Sequence, residues 1–364
     1  MFIRALLLLI AGSFLLATPP QKSGKAPTEG ATKLLVSSIN SNDMAGVRIA
    51  FEQGADPNVG DKLTPMAHGL RVFWTSAWVD APDPAAKELK KAEGQKKAME
   101  IIKFLFSKGA KLKNDPEELF SAVLSKNKAE FEYLLSKGLD PHGHYEGYDL
   151  VELSFVHKAD MNIPLLKKRG VPEIDPHRLP VLKMMRAIKA FDEKELARLI
   201  KEEKTDVNQY EPGGRTVLME VLDTPTIVWV HDPRMLFAIL DAHPDWNLPS
   251  KNKEDFGRYP LHFATHWLEV LRPEDVQDVQ SVSALVEIAI RNQGADPNVT
   301  DALRQSPLHN AAGGVALSVV KTLLQYGADP LAVDSRFRRP SQVATAPEVI
   351  RLLAEAETAA CNPR

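Results

Sequence analysis

The sequence predicts an all-α solenoid of about eight helix-turn-helix repeats, closed by a C-terminal half-repeat cap and lengthened by insertions between the two helices of some repeats. Three observations carry that prediction: a short glycine-led tail that recurs along the chain, an apolar stripe at helical spacing before each copy, and a hydroxyl-Pro signal that opens the helix before that. No single repeat buries its apolar face alone, so stacking supplies the core and the terminal units must be atypical.

The tail stands intact at Gly54 to Asn58 and Gly294 to Asn298, both GADPN, and nearly so at Gly327 to Pro330. Weaker copies begin at Gly109, Gly138, Gly170, Lys204 and His243. Successive markers lie 55, 29, 32, 34, 39, 51 and 33 residues apart, so four spacings are near 33 and three are longer. Glycine at a helix end takes up the left-handed cap, and the Asp and Asn that follow suit a tight turn. Four residues before the markers stand Ala50, Leu105, Leu134, Leu166, Ile200, Ile239, Ile290 and Leu323, all apolar. Seven before stand Val47, Ile102, Phe131, Ile163, Ala197, Leu236, Glu287 and Val320, apolar except for Glu287. Such a stripe is the buried face of a helix that ends at the marker. The preceding helices open at Thr64-Pro65-Met66-Ala67, Thr216-Val217-Leu218-Met219, Tyr259-Pro260-Leu261-His262 and Ser306-Pro307-Leu308-His309. There a hydroxyl caps free N–H groups, and Pro at the first helical position lacks only a donor that has no partner anyway.

A period near 33 with TPLH at its start and GADPN at its end resembles the ankyrin repeat. The resemblance covers roughly residues 33–355, is most specific over Asp301 to Val333 and loosest over Asp140 to Asn208. It implies antiparallel helix pairs with a protruding finger between repeats, and a His262 that hydrogen-bonds neighbouring backbone. It also implies a protein partner met by the finger tips and by the concave face of the first helices. On that basis Tyr145, Tyr148, Tyr210, Arg215, Phe256 and Arg258 are partner-binding candidates on the fingers. The long spacings place insertions near Trp78 to Gln95, Asp223 to Pro233 and His266 to Gln280, all on one edge, where they form one rim. Trp74, Trp78, Trp229 and Trp267 in or beside them join the candidates, because Trp buries much area at small entropic cost. Their alternative role is packing of the lengthened helices against the stack.

The chain has 364 residues, 45 Lys and Arg against 48 Asp and Glu, and a net charge of −3, which gives none of the basic field on which nucleic-acid binding relies. The single Cys361 excludes an intramolecular disulfide and a cysteine-rich zinc site. His262 and His266 are four apart, as zinc ligands on a helix are, but the Phe263-Ala264-Thr265 between them lacks the catalytic Glu. His142 and His144 lack a third ligand nearby. With no phosphate loop, no GxSxG elbow and no paired cysteines, the expectation is a protein that is not an enzyme and has no cofactor or metal. Arg4 followed by the apolar run Ala5 to Ala17 reads as a signal peptide over residues 1–17, since 13 residues fall well short of the roughly 20 of a membrane span. Residues 18–30 read as a flexible linker, 31–357 as the solenoid and 358–364 as a disordered tail.

The sequence thus resembles exported bacterial ankyrin-repeat proteins. The expectation is a periplasmic or secreted protein-binding scaffold, monomeric before it binds and off the membrane once the leader is cut. Its concrete form is a self-protection inhibitor that caps a periplasmic or secreted hydrolase. The alternatives are a structural or stress-related envelope scaffold and a secreted host-directed effector.

Overall fold

The structure, a computed structural model, describes residues 29–76, 83–223, 233–266, 276–314 and 316–362. Helices open where the sequence supplies caps. Asp43 accepts the Ala45 N–H ahead of α2 (Met44–Glu52), which packs on α1 (Glu29–Asn40). Thr64 accepts the Ala67 N–H at the start of α3 (Pro65–Thr75). The first insertion becomes the front half of one long helix, α4 (Pro84–Ser107), so it lengthens the second helix of its repeat instead of forming a separate loop. The solenoid starts slightly earlier than residue 31, since α1 begins at Glu29.

Backbone proximity divides the chain into two units, Met1–Val72 with Lys96–Ala110 and Phe73–Gln95 with Lys111–Arg364. In the first, Leu35, Ile39, Val47, Ala50, Met66, Leu70, Ile102 and Leu105 form a buried core, and Phe104 meets Phe51 edge-on at 5.6 Å. His68 is buried there, with its ring nitrogens 3.0 Å from Asn40 Oδ1 and 2.9 Å from Asp61 Oδ1.

The second unit is a two-layer stack. One layer holds the first helices of successive repeats: α5 (Pro116–Leu124), α7 (Leu150–Val156), α9 (Leu179–Lys189), α11 (Val217–Leu222), α13 (Pro260–His266), α15 (Pro307–Gly313) and α17 (Pro340–Val343), each packed on the next. The other holds α6 (Lys128–Ser136), α8 (Ile163–Lys167), α10 (Glu193–Lys201), α12 (Arg234–Leu240), α14 (Val276–Gln293), α16 (Leu317–Gln325) and α18 (Pro347–Cys361). The third insertion again prolongs a second helix, α14. The cap is a short α17 and a 15-residue α18, and α18 continues helically through residues 358–361, which the sequence assigned to a disordered tail. Two two-residue strands, β1 (His144–Tyr145) and β2 (Tyr148–Asp149), depart from a purely helical chain.

All eight markers adopt positive φ, including the non-glycine Lys204 (52°) and His243 (52°). After most of them the next amide bonds the carbonyl four residues before the marker, as in Ala55 to Ala50 and Ala328 to Leu323. At Lys204 and Gly294 the bond reaches one residue farther back, Thr205 to Leu199 and Ala295 to Ala289. One extra residue in the last turn therefore shifts the stripe. Val286 and Ala289 are fully buried where the sequence spacing placed Glu287 and Ile290, and Leu196 and Leu199 are buried ahead of Lys204. The polar exception in the stripe is a register effect.

The Asn of the tail has a second task besides its turn. Asn298 donates to Gly327 O (2.9 Å) and accepts the Asp329 N–H (2.7 Å) of the next repeat. Asn247 does the same with Gly294 and Asp296, and Asn114 with Gly138 and Asp140. This ladder of side chains fixes the spacing of the repeats from which the fingers rise.

Candidate functional site

The fingers are built on buried carboxylates. Asp301 Oδ1 accepts the Leu303 and Gln305 N–H groups (2.9 and 2.8 Å), Asp334 Oδ1 those of Arg336 and Arg338 (2.8 and 2.9 Å), and Glu211 those of Gly213 and Arg215 (2.5 and 2.7 Å). Each of these acids stands five residues before the residue that opens the next first helix, Ser306, Arg339 and Thr216. That spacing is a legible signal which reading for motifs missed. Consecutive fingers are then joined through backbone: Lys251 N–H to Gly214 O (2.7 Å), Ala302 N–H to Phe256 O (2.6 Å) and Ser335 N–H to Leu303 O (2.8 Å). Close approach explains Gly147, at φ 82°, because a Cβ there would run into the carbonyl of Pro212 on the neighbouring finger.

Along this joined edge Phe256, Leu303 and Phe337 stand exposed on successive tips, Phe337 by 78%. Phe256 and Phe337 hold left-handed backbone (φ 53° and 59°), an arrangement that costs a non-glycine residue about 1 kcal/mol. Of the three only Phe256 is among the partner-binding candidates of the sequence.

Two of the other finger candidates, Tyr145 and Tyr148, line a different feature, a hollow of about 150 Å³ between the fingers and the first helices. Tyr145 stacks on Phe120 of α5 at 4.5 Å, and Phe120 meets the edge of His157, the residue that ends α7. Tyr148, buried, shares the hairpin with Tyr145, and Glu146 forms its tip at φ 47°. Glu211, Lys189 at the end of α9 and Glu220 on α11 complete the wall. Lys189 Nζ lies 2.6 Å from Glu220 Oε2.

Arg215 stands behind this wall as a hub. It forms a fork with Asp255, with Nε 2.6 Å from Oδ2, and its Nη1 lies 2.7 Å from Asp223 and 3.3 Å from Glu220. Its guanidinium also sits 5.2 Å from the Phe263 ring centre. Only 19% of its side chain is exposed, so Arg215 spends its donors inside the protein and positions the carboxylates around it.

Electrostatics follow from these contacts. Burial would push the Glu220 carboxyl up, but Lys189 and Arg215 outweigh it and hold the group below the usual carboxylate range. Glu146 and Glu211 make no ion pair among the described residues; burial pushes Glu211 up, and Glu146, though its residue is exposed at the tip, is pushed up by desolvation of the carboxyl beside the hollow and then by Glu220. His157 is pushed down to about 3 by burial and by the nearby Lys189 and Lys126, so its imidazole is neutral at any ordinary pH.

The remaining candidates scatter. Tyr210 donates to Pro249 O (2.8 Å), with Lys251 Nζ 3.7 Å above its ring, and Arg258 lies 3.8 Å from Asp301. Trp74 is half-buried on α3. Trp78, Trp229 and Trp267 lie outside the described residues, with the start of the first insertion and the middle of the other two. His262 accepts the Tyr259 N–H at Nδ1 and donates from Nε2 to Gln305 O (2.8 Å), the backbone-bonding role that the resemblance implied.

No curated protein matches the chain. Residues 304–335 match the model of the ankyrin repeat, a unit that serves protein binding. The matched stretch holds the finger at Arg304, the helices α15 and α16 and the start of the next finger, and with its neighbours built to the same plan it supports placing this mostly helical chain among ankyrin-repeat proteins.

Proposed function

We propose that this chain is a non-enzymatic protein-binding scaffold of the cell envelope that caps a periplasmic or secreted enzyme and so protects the cell that makes it. The observation that carries the binding reading is the row Phe256, Leu303 and Phe337 on fingers joined backbone to backbone. Large apolar side chains held out on rigid, strained tips gain nothing in the isolated molecule and become useful when a partner covers them. The envelope setting rests on the amino terminus, where Arg4 and the apolar run Ala5 to Ala17 have the form of an export leader. Inhibition is the simplest use of a rigid stack without chemistry of its own, because covering an active-site mouth needs shape alone.

The test is capture from envelope extract with the full chain, tagged at its carboxyl end and expressed with its own leader, alongside Phe256→Ser/Phe337→Ser. The expected result is one stoichiometric hydrolase whose activity falls on binding and which the double variant releases. A broad set of captured proteins with unchanged activities would replace inhibition by general scaffolding. Recovery of the tagged chain only from the cytoplasm would remove the envelope.

A further inference from the structure

We infer that the 150 Å³ hollow bounded by Phe120, Tyr145, Glu146, Glu211 and Glu220 is a socket for one arginine side chain of the protein partner, an inference that rests on the binding function proposed above. Its polar lining consists mainly of acceptors. Three carboxylates face one ammonium, and that ammonium, Lys189, is already bound to Glu220. The Tyr145 and Tyr148 rings line the hollow beside the Glu146 and Glu211 carboxyls. Neutral His157 makes no ring hydrogen bond among the described residues, and a neutral imidazole always retains one acceptor nitrogen.

Charge points the same way. Behind the wall, Arg215 is shared by Asp223, Asp255 and Glu220, which leaves Glu146 and Glu211 without a cation of their own. The missing component is a donor-rich positive group. Guanidinium fits better than ammonium: its five N–H donors spread in a plane that reaches carboxylates on separate fingers, and its flat face suits the Phe120–Tyr145 wall. Glu146 is exposed at its hairpin tip, so a side chain arriving from solvent meets a carboxylate first.

The probe is Nα-acetyl-arginine amide titrated into the full chain, read by the ring resonances of His157, which His157→Gln assigns. A saturable shift is expected with the arginine amide, a response at least about fivefold weaker with the lysine amide, and no saturation with the neutral, isosteric citrulline amide. Glu146→Gln, at an exposed tip, should leave thermal unfolding unchanged and weaken the arginine amide about tenfold, the loss of one charge-assisted hydrogen bond. Equal binding of citrulline amide, an unshifted His157, or full affinity in Glu146→Gln would each overturn the socket. So would agmatine binding far more tightly than the amide, which would make the hollow a small-molecule site. If a partner is captured equally by wild type and Glu146→Gln, the socket fails and the scaffold stands. If no partner exists while the amide still binds, the hollow takes free arginine and the partner socket falls with the scaffold.

Discussion

The central repeats, residues 114–223, and the C-terminal repeats, residues 259–342, solve one structural problem with different chemistry. At the third position of several first helices a polar side chain accepts amides at or just before the helix start and, in some of them, links to the next finger. In the C-terminal repeats that residue is the buried His262, then the buried His309, then Gln342 of the cap, which is exposed and holds only its own helix start. His309 Nδ1 accepts the Ser306 N–H at 3.1 Å, which places the proton on Nε2, and Nε2 donates to Arg338 O of the next finger at 3.0 Å. A neutral ring accepts on one side and donates on the other, so one uncharged residue spans two repeats. In the first two central repeats the same position holds Glu118 and Glu152, and in the next two it holds the apolar Val181 and Met219. A carboxylate only accepts. Glu118 takes the Lys113 and Asn114 amides of its own finger, and Glu152 takes the Asp149 amide, so its link onward needs Arg178, 3.0 Å away. A glutamate at this position still accepts amides near the helix start, but at Glu152 the link onward is an ion pair that must be desolvated where histidine makes a neutral bond. The charges around Arg215 extend that ionic region to the hollow.

The largest break in this comparison is Arg215→Met. Removing the hub leaves the Asp255 carboxylate buried against Ser250 alone among the described residues and takes one cation from Glu220, which keeps Lys189, and from Asp223, so the expected loss is about 3–5 kcal/mol in urea unfolding. An effect below about 1 kcal/mol would show that the central charges are not a stability network.

Second is pH, where the two regions should move in opposite directions. Burial, then Asp149, pushes Glu152 up to about 7, above its unfolded value, so its contribution is fully present below about pH 4.5 and is lost as pH rises through 7. Glu130, buried on α6, is raised by burial in the same sense. Burial pushes His262 down to about 4, below its unfolded value, so its contribution is present above about pH 6.5 and is lost as pH falls through 4. Hydrogen exchange corrected for intrinsic rates should show α7 better protected at pH 5 than at pH 8, and α13 and α15 the reverse, by about 1–3 kcal/mol of opening free energy. Both regions moving together would mean that the stack opens as a unit.

Third, His309→Gln copies what Gln342 does one repeat later. It should keep the cap at Ser306, lose the bond to Arg338 O and cost about 1 kcal/mol, with the acid sensitivity of α15 abolished. A cost above about 3 kcal/mol would show that the inter-repeat half of the histidine dominates. The smallest effect is expected at Phe337→Ser, which should change stability by less than about 0.5 kcal/mol while weakening partner capture.

Much of the repeat plan was legible because it rests on local chemistry. Helix caps, positive-φ ends and apolar stripes are written within a dozen residues, and so the eight markers and most of the stripe could be read directly. The same reading put the stripe one residue off before Gly294 and Lys204, because an extra residue in the last turn changes the hydrogen bond that closes it without changing the tail. It found Tyr145, Tyr148 and Arg215 as finger residues but could not tell that the first two line a hollow and that the third is spent behind it. Nor could it find Lys189 and Glu220, which lie 31 residues apart on two different helices and meet only when the repeats stack.

By itself, then, the sequence determined the repeating unit, its helical order and the turns between units, since each depends on backbone preferences and short-range capping. Packing of the repeats sets which charges neutralise one another, which finger residues remain exposed and where an acceptor-lined hollow opens. Those outcomes depend on desolvation and on contacts between residues a full repeat or more apart, and no local pattern encodes them.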